Sequence, residues 1–162
     1  MKGGESPLTA TDALWGWISL ATLSVAYLLV PRHRFFSFLL PGVVLGALLA
    51  LAINLVGDSV LRLWIYPPSA FSVAGVPLLM ATMWIGEVIL FLHFFPERGW
   101  DRALWLLAAS LAVTFLDFLL VSYGFRRFIN WSLAGTFVLA VFSHVVVVVF
   151  TPLFAALCSP RR

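Results

Sequence analysis

Long apolar runs alternate with short polar breaks along this chain, and within the runs hydrophobic and polar positions do not alternate as they would in a half-buried strand. Five runs, at 13–30, 35–56, 76–95, 103–124 and 132–157, approach or exceed the roughly twenty residues a helix needs to cross a bilayer core. They take up about two thirds of the chain and leave no room for a second domain. The pattern predicts an all-α fold, a polytopic transmembrane helical bundle of five spans with short loops, forming one membrane domain over 1–162. Helices are expected because lipid offers no partner to backbone polar groups, which a helix pairs within itself. The run Val145 to Phe150 is mostly β-branched and would favour a strand in water, but the length of the uninterrupted segment decides for helix.

The breaks at 31–34, 96–102 and 125–131 are short enough to make successive helices antiparallel neighbours. The exception is 57–75, which carries Asp58, Arg62, Trp64, Tyr66, Pro67 and Pro68. Here the second helix is expected to continue to Tyr66, where the proline pair stops it, and the remainder is an interfacial or re-entrant loop. The first run follows Lys2, Glu5 and Asp12 and ends at Pro31-Arg32-His33-Arg34 without a small-residue cleavage signature, so it is expected to stay as a span.

Composition strengthens the membrane reading. The 162 residues are 62% hydrophobic, 15% aromatic and 10% charged, with a mean hydropathy of +1.05. A soluble core cannot hide that excess, and disorder, a disulfide scaffold and a separate soluble catalytic domain are excluded. The net charge of +3 comes from basic residues scattered between apolar runs, which read as topology signals and not as a nucleic-acid surface. Six Lys and Arg fall on the side of the C-terminus and four on the side of the N-terminus, so the N-terminus is expected outside and the C-terminus in the cytoplasm. Trp15, Trp17, Trp64, Trp100, Trp105 and Trp131 fall at expected interfaces, and Trp84 lies mid-span. The single cysteine, Cys158, allows no intrachain disulfide and reads as an inert thiol.

Two sets of residues stand out. Gly42, Gly46, Ala50 and Asn54 recur every four residues, with Asp58 and Arg62 continuing the line as an exposed pair. Small residues at this spacing let helices approach closely, within the chain more readily than between copies. The other set is ionisable: Glu87, Asp117 and His144 lie deep in the third, fourth and fifth spans, where charge is costly and side chains turn toward the bundle. Ser110 and Thr114 share a face with Asp117, and Ser143 adjoins His144 on a polar stripe with Thr136 and Ala140. Meeting in one layer, these residues would form a protonatable intramembrane site; the plainer reading is polar glue between helices. Glu87 shares its side with Met80, Met83 and Phe94, an apolar setting. No spacing indicates a metal site, a nucleophile elbow or a phosphate loop, so no metal and no cofactor is expected.

The stretch Asp117-Phe118-Leu119-Leu120-Val121-Ser122-Tyr123-Gly124-Phe125 with Asn130-Trp131, together with Trp64-x-Tyr66-Pro67 and Phe95-Pro96, resembles an uncharacterised family of small bacterial multi-spanning membrane proteins. In that family an intramembrane acid, more often Glu, precedes a Gly and an aromatic-x-Asn/His-Trp entry into the last helix. The likeness covers roughly Leu61 onward and implies a bacterial cytoplasmic membrane protein, with no activity attached. Trp64-Ile65-Tyr66 and Gly75-Val76-Pro77-Leu78 are more faintly similar to the membrane domains of carotenoid cyclases, which carry acids where this chain has Leu79-Met80.

The expected function is a small transport or proton- or cation-handling component. A non-catalytic scaffold or accessory subunit is the first alternative, and a membrane-embedded enzyme acting on a lipid or isoprenoid the second. Expected partners are the lipid bilayer and a membrane protein or a second copy, not nucleic acid.

Overall fold

The computed structural model describes residues 9–158, with side chains as far as 154. Lys2, Glu5, Arg161, Arg162 and the Cys158 side chain lie outside what is described. Among the described residues there are five helices: α1 (Ala10–Leu29), α2 (Arg32–Val60), α3 (Leu78–His93), α4 (Asp101–Ser122) and α5 (Leu133–Cys158). All but α3 are long and apolar enough to cross a membrane. Two small antiparallel pairs decorate one end: β1 (Trp64–Ile65) with β4 (Arg127–Phe128), and β2 (Ser72–Val73) with β3 (Val76–Pro77).

The third helix is shorter than its apolar run. Val76 and Pro77 pair with Val73 and Ser72 instead of opening the helix, and Ala74 and Gly75, at φ 48° and 87°, supply the two left-handed residues of a tight hairpin turn. The 16 residues left span about 24 Å, short of a bilayer core of about 30 Å.

α3 is nonetheless the centre of the fold. Against α1, Gly86 lies where a Cβ would come within 2.7 Å of the Thr22 carbonyl carbon, and the Ser19 hydroxyl donates to the Leu79 carbonyl at 2.6 Å. Against α2, a Cβ on Gly46 would sit 2.5 Å from the Trp84 carbonyl oxygen, and one on Gly42 3.1 Å from that of Ile85. The glycine line of α2 is therefore a contact within the chain, since only bare Cα atoms allow the two backbones this close. Ala50 and Asn54 continue it as buried residues. Asp58 and Arg62 do not pair among the described ion pairs.

The second helix stops at Val60 and not at Tyr66. Arg62 takes the left-handed conformation at φ 51°, the Leu63 amide returns to the Gly57 carbonyl at 2.7 Å, and the Trp64 ring folds against Gly57, where a Cβ would meet it at 2.2 Å. This is a Schellman-type ending that needs a left-handed residue after the last turn. Upstream, α2 contains Pro41 and widens into π-type turns at Gly42–Leu48 and Val56–Val60. The loop that follows is tied to α1 by Asp12. Its carboxylate accepts from the Ala70 amide at 3.0 Å, the Phe71 amide at 3.4 Å and the Ser69 hydroxyl, while forming a capping box with Thr9.

Trp15 and Trp64 turn inward, at 2% and 1% exposure, because the loop folds over the end of the bundle and covers them. Trp17, in the body of α1, and Trp100, at the start of α4, remain exposed.

Candidate functional site

Two polar clusters link the helices. In the first, the Glu87 carboxyl on α3 meets His144 Nε2 on α5 at 2.9 Å. The other ring nitrogen, Nδ1, lies 2.8 Å from the Ala140 carbonyl and 3.2 Å from the Ser110 hydroxyl on α4. Phe91, one turn after Glu87, packs its ring 4.5 Å from the imidazole. His144 and Ser110 are fully buried, whereas the Glu87 side chain keeps 21% exposure.

This arrangement restricts where protons sit. A carbonyl oxygen only accepts, so the Ala140 contact requires the hydrogen on Nδ1. The Nε2 contact to Glu87 then holds a single proton, either on a neutral carboxyl that donates to nitrogen or on an imidazolium that donates to a carboxylate. In both placements the pair carries no net charge.

The second cluster lies toward the end of the bundle that carries β1 and β4. Asp117 on α4 accepts from Arg126 at 2.5 Å and from the Thr136 hydroxyl on α5 at 2.8 Å, and Thr136 accepts from the Trp131 indole at 3.0 Å. The Arg126 guanidinium sits 4.1 Å from the Trp64 ring centroid and 5.3 Å from that of Tyr66. Such a planar cation is suited to pairing with a carboxylate and stacking on rings together. The Tyr66 hydroxyl donates to Asn54 on α2 at 2.6 Å, and Asn54 donates to the Ala50 carbonyl at 2.8 Å. Burial pushes the Tyr66 phenol well above its ordinary value, with the charge of Arg126 opposing the shift.

Glu87 and His144 are thus brought together as one layer with Ser110, and Asp117 is not part of it. Seven residues of α4 separate Ser110 from Asp117, about 10 Å of rise. Thr114 hydrogen-bonds to the Ser110 carbonyl and Ser143 to the Leu139 carbonyl, each on its own helix. Both pairs nevertheless border one cavity of about 90 Å³ between α2, α3, α4 and α5, walled largely by apolar side chains such as Leu49, Ile53 and Met80. Ser143 also lines it.

Sequence reasoning missed Arg126, which reads along the chain only as a topology charge. Its position follows from the turn after α4, where Gly124 takes φ 78° and the Phe125 and Arg126 amides return to the Leu120 carbonyl. Asp12 did carry a local signal, the Thr9-x-x-Asp12 spacing of a capping box. Among the described residues no three His, Cys, Asp or Glu side chains gather as a metal ion would require.

The molecule is a helical bundle whose four long apolar helices suit a membrane, with the Arg126–Asp117 ion pair and the hydrogen-bonded Glu87–His144 pair on a shared cavity. Comparison with family models, with curated proteins and with solved structures finds no match for this chain.

Proposed function

We propose that this chain is a small transport or proton- or cation-handling component of a bacterial cytoplasmic membrane, working at the Glu87–His144 pair. The observation that carries the reading is the 2.9 Å contact between two ionisable groups, the Glu87 carboxyl and His144 Nε2, beside a cavity. A group that gains or loses one proton there acquires net charge in an apolar setting, so proton exchange and occupancy of the cavity are energetically linked. Asp117 and Arg126 border the same cavity as a fixed, mutually neutralising pair.

Flux assays in proteoliposomes test this. Proton or cation flux should fall at least about tenfold in Glu87→Gln and in His144→Gln, the scale of removing a positioned proton-transfer group. Unchanged flux in both, with helicity preserved, overturns the reading.

The scaffold alternative loses its main support, because the glycine face that would meet a second copy is filled by α3. The balance of loop charges favours an external N-terminus. A membrane-impermeant thiol reagent should then leave Cys158 unmodified in intact cells and label it after lysis.

A further inference from the structure

Two carboxyl groups border the cavity, and each has aromatic rings at hand. Asp117 already holds a cation: the Arg126 guanidinium pairs with it and rests 4.1 Å from the Trp64 ring centroid and 5.3 Å from that of Tyr66. Glu87 has comparable surroundings without such a cation. Trp84, three residues before it on α3, lines the same cavity, and residues at this spacing are neighbours on a helix surface. Among the described residues only one Glu87 oxygen has a hydrogen-bond partner, His144 Nε2 at 2.9 Å. The other oxygen has none and is not buried, and the side chain keeps 21% exposure.

The chemistry of the walls narrows the guest. An open carboxylate oxygen accepts and repels anions. An alkali-metal ion gives up its water only for a shell of oxygens, and the neighbouring ones are engaged: Asn54 accepts from Tyr66, and Asp117 from Arg126 and Thr136. A primary ammonium brings three donors, more than the open Glu87 oxygen and the Ser143 hydroxyl take between them. Methyl groups in place of those hydrogens remove the demand, and a methylated cation suits ring faces and apolar walls. Size agrees: a cavity of about 150 Å³ takes benzene, so one of about 90 Å³ takes roughly four non-hydrogen atoms, about a trimethylammonium head.

Charge balance sets the terms of exchange. The Glu87–His144 pair is neutral with hydrogen on Nδ1, and a cation added to it leaves net charge in an apolar setting. Loss of one proton restores the balance: its bond to the Glu87 oxygen or to Nε2 breaks, the proton leaves to water, and the carboxylate keeps the cation as its counter-ion. The other titratable or charged groups on the cavity are Asp117 and Arg126, which neutralise each other, and Tyr66; α1, α2 and the rest of α3 contribute none.

We propose that the cavity binds a methyl-substituted ammonium ion at Glu87 and Trp84 in exchange for one proton. This inference rests on the Glu87–His144 pair of the proton-handling reading and names the cation that the pair handles.

Equilibrium dialysis of the full chain in maltoside micelles against radiolabelled tetramethylammonium tests this. Binding should saturate at one ion per chain and tighten about tenfold for each pH unit between about pH 6 and 8, because one proton leaves per ion bound. Sodium, potassium and tert-butanol at the same concentration should not displace the ion. Glu87→Gln removes the counter-charge and should weaken binding at least about tenfold and flatten its pH dependence. Trp84→Leu should weaken it about fivefold with the pH dependence kept. Circular dichroism checks that each variant is folded, and the pH slope of the parent decides the matter if neither is. The proposal is overturned if the folded parent shows no saturable binding, if binding is flat with pH, or if sodium or tert-butanol displaces the ion. Flux that falls in Glu87→Gln and His144→Gln while the parent binds no tetramethylammonium overturns this proposal alone. Saturable, pH-dependent binding with flux unchanged in both variants overturns the transport reading and leaves this site standing.

Discussion

Arg126 reaches back nine residues to hydrogen-bond the Asp117 carboxylate at 2.5 Å while its guanidinium rests 4.1 Å from the Trp64 ring centroid. One side chain thereby ties the loop after α4 to α4 itself and to the strand β1 that follows α2. Both partners are largely buried, with side-chain exposures of 11% and 5%.

Breaking this pair from one side strands the opposite charge. Asp117→Asn or Arg126→Met alone should destabilise the fold by about 3–5 kcal/mol, whereas the double substitution should cost clearly less than the two combined. Reversible unfolding in mixed micelles, run as a double-mutant cycle, measures this. Strict additivity would show that the two groups are not coupled.

The glycines differ in what a methyl group would meet, and so in cost. Gly46→Ala and Gly86→Ala force a new Cβ into the backbone of a neighbouring helix and should destabilise by about 1–3 kcal/mol. Gly16→Ala places its Cβ 3.8 Å from Leu79, an ordinary contact, and should be neutral or mildly stabilising through helix propensity. Thermal unfolding followed by tryptophan fluorescence ranks the three, and a Gly46→Ala protein as stable as Gly16→Ala contradicts the close approach.

Removing the Asp12 carboxylate deprives the loop of its acceptor. In Asp12→Ala the amides of Ala70 and Phe71 should exchange hydrogen at least about tenfold faster, because their bonds to the carboxylate set local opening. Exchange at Ile89, deep in α3, should stay as in the parent.

Tyr66 makes stability sensitive to alkali. The folded protein holds the phenolic proton more tightly than the unfolded chain, whose tyrosine titrates near 10.0. Above that pH the native state binds a proton that the unfolded state has released, so stability is intact below about pH 10 and declines as pH rises. Subtracting the absorbance titration at about 295 nm of Tyr66→Phe from that of the parent isolates this residue. A difference curve centred near 10 in the folded protein would refute the shift.

The helices were legible because they follow from bulk hydropathy. Val145 to Val149 form part of α5 despite their β-branched side chains, as the length of the run requires. The pairing of Glu87 with His144 was legible as well, from depth and the cost of leaving either in lipid. What could not be read lies where the chain turns. The end of α2 depends on the left-handed Arg62, and the late start of α3 on a hairpin that claims Val76 and Pro77. Arg126 and Trp64 point inward only because β1 pairs with β4, a contact between residues some sixty positions apart. No local spacing encodes such a return, so the pairing of Asp117 with Arg126 under Trp64 was invisible along the chain.

The clamping of α3 has a mechanical corollary. Helices α1, α2 and α3 interlock through backbone-to-backbone contacts at Gly42, Gly46 and Gly86, which resist sliding because no flexible side chain lies between them. The α4–α5 hairpin meets this wedge through side chains: the apolar cluster of Val88, Phe91 and Val147, the polar links from Glu87 to His144 and from the Trp105 indole to the Phe91 carbonyl at 3.2 Å, and the two-residue pairing of β1 with β4. The wedge is thus locked backbone to backbone, whereas the hairpin is held to it by side chains, so a substitution at Glu87, His144 or Trp105 acts on the join between the two and not within either.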